Sequence, residues 1–264
     1  MITKKEWLIK NSKRLYHKSI LQAADTAPIY ILGEMRSGTN MLMDCFEKSL
    51  CVDAYNETDP EAFVDYELIP GPDLQALLRR SKAPFAAFKS IADLTRCSDL
   101  MKVHPRSQAV WIFRNYDDVV NSALTLFKEH REYLRLILEE PERARWRASN
   151  LSEASLDLIR DWYNKVDDAS ARALIWYVRN AAYFEQNLDQ AKDRILLVRY
   201  ENLVRDPMQQ MRQVYTFLDC PFKESNASHL NPRSVARNEP SSIDPSIRAL
   251  CDEMFNRLCE ALPS

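Results

Sequence analysis

Arg36, Ser37, Gly38, Thr39 and Asn40 put one cation, two hydroxyls and a glycine into five consecutive residues, on a stretch written IYILGEMRSGTNMLMDC from Ile29 to Cys45. Ile29 to Leu32 is a short apolar run that reads as a buried strand, Gly33 to Asn40 reads as a loop, and Met41 onward carries helical spacing. Strand, loop and helix in that order make an anion site, because the first N–H groups of a helix are unpaired and lie at the positive end of its dipole. The chain has only three glycines, Gly33, Gly38 and Gly71, and two of them flank this loop. Glycine supplies the backbone freedom and close approach that wrapping a phosphate requires. The spacing Gly33-x4-Gly38 imitates the loop of nucleoside triphosphatases, but that motif continues with Lys and then Ser or Thr. Here Thr39 and Asn40 follow, and the cation has moved inside the loop, to Arg36. Ordinary triphosphate chemistry thereby loses its lysine and its magnesium-binding hydroxyl.

The elements around the loop are those of an α/β fold. Strand-like runs recur at Cys51 to Glu57, after Pro84 in FAAFKSI, at Ala109 to Phe113 and at Ile195 to Tyr200. Helical segments separate them: Leu74 to Arg80, Ser98 to Val103, Asp117 to His130, and a long amphipathic stretch from Trp162 to Leu188. Further helices are expected near Met208 to Leu218 and Pro245 to Leu262. Such alternation predicts a central parallel sheet flanked by helices, with ligands bound beyond the carboxyl ends of the strands. Gly33, Glu57, Lys89 and Arg114 all fall at or just past predicted strand ends, so one cleft can collect them. Residues 51–73 carry Asp53, Glu57, Asp59, Glu61, Asp65, Glu67 and Asp73 without a Lys or Arg. That loop reads first as a solvated acidic surface.

At 264 residues the chain suits a single domain. Within it, residues 1–27 read as a helical extension, 130–165 as a helical insertion, and 223–244 as a polar loop too long for a simple connection. A net charge of −2 argues against nucleic-acid binding driven by bulk electrostatics. No apolar run approaches a membrane span, and the basic N-terminus lacks the apolar core and cleavage site of a signal peptide. A cytoplasmic protein with no integral membrane association and no nucleic-acid partner is expected; its oligomeric state is left open. Six cysteines are scattered without a C-x-x-C pair or a nearby His cluster, which favours reduced thiols over a zinc site. His17, His104, His130 and His229 are given ordinary structural or surface roles.

Arg-Ser-Gly-Thr after a strand resembles the 5′-phosphosulfate loop of sulfotransferases that use 3′-phosphoadenosine 5′-phosphosulfate (PAPS). Two further segments strengthen the likeness. Arg114 and Ser122 lie eight residues apart across a strand tip and the second turn of a helix, as do the arginine and serine that grip the nucleotide's 3′-phosphate in that family. Standing alone, this segment would read as an N-capping Asn115 followed by an exposed helix. VRYENLVRDP, from Val198 to Pro207, resembles the family's Tyr-Glu-x-Leu run, whose tyrosine, here Tyr200, lies near the adenine. Three motifs in the right order identify the chain as a member of the sulfotransferase family, with a P-loop-like nucleotide-binding fold.

The resemblance implies PAPS as sulfuryl donor, 3′,5′-adenosine bisphosphate (PAP) as product, and no metal. It assigns Arg36 and Lys89 to the sulfonate and bridging oxygen. Ser37, Gly38, Thr39 and Asn40 go to the 5′-phosphate, and Arg114, Ser122 and Tyr200 to the adenosine 3′-phosphate end. A covering loop should add basic and hydroxyl groups from Arg237, Ser241 and their neighbours Arg233 and Ser242. The histidine two residues after the strand-three lysine, used as base by cytosolic members, is absent, since Ser90 and Ile91 follow Lys89. Glutamate-base members place their carboxylate shortly after strand two, where Glu57 stands, with Glu61 next and His104 third. The expected acceptor is a hydroxyl or amine of a soluble small-molecule metabolite, cationic if the acidic loop lines its pocket. A glycan acceptor, a P-loop kinase or NTPase, and a nucleotide-binding protein without catalysis are the competing readings.

Overall fold

The computed structural model describes residues 4–127, 129–230 and 241–263. After helix α1 (Lys4–Tyr16) and a π-turn, five strands form one parallel sheet: β1 (Ala27–Leu32), β2 (Val52–Tyr55), β5 (Phe85–Lys89), β6 (Gln108–Phe113) and β7 (Ile195–Arg199). Between the second and third of these lies a two-residue hairpin, β3 (Phe63–Val64) and β4 (Glu67–Leu68). Sheet order is β2-β5-β1-β6-β7, with every pairing parallel. This is the expected central sheet, flanked by helices on both faces.

β1 is buried at all six positions, as a central parallel strand must be. Its side chains alternate between two cores. Tyr30 and Leu32 join Phe88, Trp111 and Phe113 beneath α9 (Asp168–Glu185) and α12 (Pro245–Glu260). Ile29 and Ile31 join Val110, Ile112 and Val198 beneath α2 (Thr39–Lys48) and α11 (Pro207–Phe217). Register places Ile31 beside Lys89, Leu32 beside Trp111, and Phe113 beside Arg199. The chain therefore leaves β1, β5, β6 and β7 at one edge of the sheet, and the loop, Lys89, Arg114 and Tyr200 all start from that edge.

The remaining helices are α3 (Gly71–Arg80), α4 (Cys97–Leu100), α5 (Tyr116–Leu124), α6 (His130–Glu139), α7 (Pro141–Ala144), α8 (Glu153–Trp162) and α10 (Tyr200–Arg205). Three boundaries differ from the sequence expectation. The helix expected from Asp117 to His130 stops at Leu124, and α6 begins anew after Glu129 in a left-handed conformation, φ 67°. The long helix expected from Trp162 starts at Asp168, because the Asp167 side chain accepts from Ser170 N and caps it there. The acidic loop contains the β3–β4 hairpin, whose turn residues Asp65 and Tyr66 both have positive φ.

Candidate functional site

The loop between β1 and α2 carries its strain at defined residues. Gly33 and Gly38 have φ of 155° and 103°, and Arg36 has φ 73°. A Cβ on Gly38 would sit 2.5 Å from Tyr200 Cδ2, and one on Gly33 would sit 2.4 Å from the Ile112 carbonyl oxygen. Both positions therefore require glycine, for conformation and for space. No side chain caps the N-terminus of α2. Ser37 is fully buried, and its hydroxyl has no hydrogen-bond partner among the described residues. Thr39 is buried, whereas Arg36 and Asn40 are exposed.

Three distant segments meet over this loop. Arg36 Nε donates to Ser122 Oγ at 2.9 Å, linking the loop to the second turn of α5. Arg114 Nη1 donates to the Arg36 carbonyl at 3.4 Å, and its guanidinium lies 4.5 Å from the Tyr200 ring centroid. Arg114 also pairs with Asp118 at 3.0 Å. Asn115 caps α5 by accepting from Asp117 N at 2.9 Å. Glu201, next to Tyr200, accepts from Asn115 N and from Arg199 Nε, both at 2.9 Å, and so fixes the tip of β6 against that of β7. Glu201 of the Tyr-Glu pair thus has a structural role.

Lys89, at the end of β5, is 5% exposed and its ammonium pairs with the Glu57 carboxylate. Glu61 is placed elsewhere. Arg14 of α1 donates to both of its oxygens, at 2.9 and 2.6 Å, and that pairing holds its carboxyl below the usual range. Held by Arg14, Glu61 is a weaker proton acceptor than a free carboxylate. His104 bonds Asp25 at 2.9 Å in the segments that enter β6 and β1, at the opposite sheet edge from Lys89. Ser241 lies beside α5, its N–H donating to Asp117 at 3.0 Å and its hydroxyl to Asn121 at 2.7 Å. Arg233 and Arg237 lie outside the described residues.

The acidic loop is not a free negative surface. Asp59 pairs with Lys10, Asp53 and Glu61 with Arg14, Asp65 with Arg145 and Glu57 with Lys89. Lys10 and Arg14 of α1 pair with three of its seven carboxylates, and Lys89 and Arg145 with two more, which weakens the charge argument for a cationic acceptor. Among the described residues no group of three His, Cys, Asp or Glu could hold a metal ion. No helix there is long and apolar enough to cross a membrane.

Beneath the loop lies a cluster that sequence reasoning missed. Glu34, 3% exposed, receives Arg172 at 2.6 Å on one oxygen and Arg179 at 3.1 Å on the other. Arg172 also donates to the Met35 carbonyl at 3.2 Å, bracing the loop from α9. Burial, opposed by Glu34, lowers the Arg179 pKa. The available signal was two arginines seven residues apart, two turns on one face, in a helix whose other residues on that face are apolar.

The sequence model of the sulfotransferase family matches residues 54–224, more than half of the chain, and begins after the β1–α2 loop. No curated protein matches. Among solved structures, the sulfotransferase domain from the curacin biosynthetic pathway aligns at TM-score 0.54 and 13% identity, covering 90% of this chain and 99% of that one. A sulfotransferase from Alicyclobacillus acidocaldarius aligns at TM-score 0.49 and 17% identity over 89% of this chain and 93% of its own. A mouse sulfotransferase complexed with PAP aligns at 0.44 and 13%, covering 96% and 91%. The first likeness is one of fold.

Proposed function

The chain belongs to the sulfotransferase family, and on that premise we propose that it moves a sulfuryl group from PAPS to a hydroxyl or amine of a small-molecule acceptor. The observation that carries this reading is the contact of Arg36 with Ser122, with Arg114 and Tyr200 stacked beside it. Cation, neutral hydroxyl, second cation and aromatic face are the groups a nucleotide with phosphates on both its 5′ and 3′ sides calls for. The residues fit such a donor: Ser37 has a buried hydroxyl without a partner, α2 has no side-chain cap, and Gly38 keeps the loop open to Tyr200.

When bound, PAPS supplies the sulfuryl group and leaves as PAP. Thr39, Asn40 and the loop amides bind the 5′-phosphate, and Arg114 and Ser122 the 3′-phosphate. Arg36 and Lys89 place fixed positive charge where negative charge grows during transfer. Glu57 Oε1 holds Lys89; its Oε2 is our assignment for the oxygen that takes the acceptor's proton. Ser241 anchors the described end of the covering segment to α5, and we assign the segment's cation to Arg237.

The test is to incubate the protein with PAPS and a mixed panel of alcohols, phenols and amines, following PAP release and the gain of SO₃ by mass spectrometry. PAP release coupled to a sulfated product is expected, and it should be lost in Glu57→Gln. Transfer of phosphate from ATP, with PAPS inert, would overturn the proposal.

A further inference from the structure

Glu57 stands in a tight turn just past the end of β2, an edge strand of the sheet. Asp59 N donates to the Asn56 carbonyl at 2.8 Å, with Glu57 and Thr58 between them. A surface turn of this kind moves readily unless its corners are held. Each corner is held here, and by a different helix. Asn56 Nδ2 donates to Glu47 Oε1 of α2 at 2.5 Å. Asp59, 4% exposed, pairs with the Lys10 ammonium of α1 and accepts from Glu61 N at 3.1 Å. Lys10 also lies 4.3 Å from the ring centroid of Tyr55, the last residue of β2. A buried carboxylate is costly unless paired, so Asp59 keeps Lys10 in place.

The two helices are tied to each other as well. Lys10, Lys13, Arg14 and His17 follow the i, i+3, i+4, i+7 spacing of one helix face. Lys13 Nζ donates to the Glu47 carbonyl at 2.7 Å, and His17 Nε2 to the Leu50 carbonyl at 2.9 Å. Helix α2 begins at Thr39, in the loop that we assign to the 5′-phosphate. Through Asn56 and Glu47, the Glu57 turn is therefore fastened to the helix whose other end faces the donor.

We propose that Lys10 and Glu47 are positioning residues for sulfuryl transfer, acting through Asp59 and Asn56 to fix Glu57 against Lys89. The proposal rests on the sulfotransferase reading above, with Glu57 as base. Misplacing a catalytic group by about 1 Å costs on the order of 10² in rate, even when the cause lies away from the chemistry. Removing either pin lowers turnover and leaves the loop amides, Arg114 and Ser122 to bind the nucleotide.

The experiment compares the whole protein with Lys10→Met, Glu47→Ala, Lys10→Arg and Glu57→Gln. With PAPS and the mixed acceptor panel, Lys10→Met and Glu47→Ala should lower kcat for PAP release about 10- to 100-fold and leave the KM for PAPS within about two-fold. Lys10→Arg, which keeps the charge, should stay close to the unaltered protein. A second readout needs no acceptor: each protein is treated with N-hydroxysuccinimidyl acetate, and acetylation of Lys89 is followed by mass spectrometry against that of Lys102, whose side chain is 75% exposed. Lys89 should react slowly in the unaltered protein and in Lys10→Arg, and about ten-fold faster in Lys10→Met, Glu47→Ala and Glu57→Gln, where the turn or its ion pair is released. Unchanged kcat or unchanged Lys89 labelling in Lys10→Met or Glu47→Ala would overturn the proposal. Loss of the thermal stabilisation by PAP in either variant would overturn it too, since the residue would then support the fold or the nucleotide site rather than the base. An unaltered protein that gains no stability from PAP and leaves PAPS intact would overturn the donor reading itself, while the labelling would still report whether the turn is pinned.

Discussion

Arg36 of the phosphate loop and Ser122 of α5, 86 positions apart in the chain, are joined by a hydrogen bond of 2.9 Å. The contact brings the groups assigned to the 5′ and 3′ ends of one nucleotide within a side chain's length of each other. A bound PAP would draw both residues to its phosphates in place of this bond.

Arg114→Ala should weaken PAP binding about 10- to 100-fold, the loss of a charge-assisted hydrogen-bonded contact worth roughly 1.5–3 kcal/mol. Binding of 5′-AMP, which lacks the 3′-phosphate, should change much less. Calorimetry with both nucleotides checks this. An equal loss for both would place Arg114 outside the 3′-phosphate site.

Glu57→Gln should leave the Kd for PAP within about two-fold and lower kcat by roughly 10²–10⁴, the usual scale for losing a general base. Lys89→Ala should lower kcat as well, because it removes both the partner of Glu57 and a cation at the transfer site. Equal damage to PAP binding in Glu57→Gln would show that the carboxylate holds the site together rather than taking a proton.

Glu34→Gln should cost about 3–5 kcal/mol of stability, since it leaves two buried guanidiniums with no carboxylate between them. The urea midpoint should fall with an unchanged m-value. A shift below about 0.5 kcal/mol, the scale of an ordinary surface change, would mean that solvent reaches the triad.

Burial, and then the Arg172 guanidinium, holds the His130 pKa below its usual 6.5, against the pull of Asp168 and the carbonyls of Ala123 and Phe127. The unfolded chain therefore takes up this proton at a higher pH than the folded one. Stability from His130 is fully present above 6.5 and is lost as pH falls from there through the folded pKa. The difference in urea midpoint between wild type and His130→Phe should shift in favour of the variant between pH 7.5 and pH 5.5. A pH-independent difference would contradict the assignment.

The sheet and the β1–α2 loop were legible because short apolar runs and glycine spacing are local signals. Gly33, Glu57, Lys89 and Arg114 could be placed at or just past strand ends from the pattern of apolar runs, and parallel topology brings those ends to one side of the sheet. Pairing across the sequence was not legible. Nothing near Glu61 announces Arg14, and nothing near Glu34 announces Arg172 and Arg179, whose partners lie more than a hundred residues away. His130 could be given only an ordinary structural or surface role from the sequence; in the fold it is buried. The helix break after Leu124 escaped notice because no proline or glycine marks it.

Thermal unfolding with PAP, beside 5′-AMP and ATP with magnesium, tests the central claim most directly. A ligand that binds only the folded state adds about 2.7 kcal/mol of stability at a hundredfold excess over its Kd. The account predicts a large upward shift with PAP, a small one with 5′-AMP, and loss of the PAP shift in Arg114→Ala. Stabilisation by ATP with magnesium and none by PAP would contradict it.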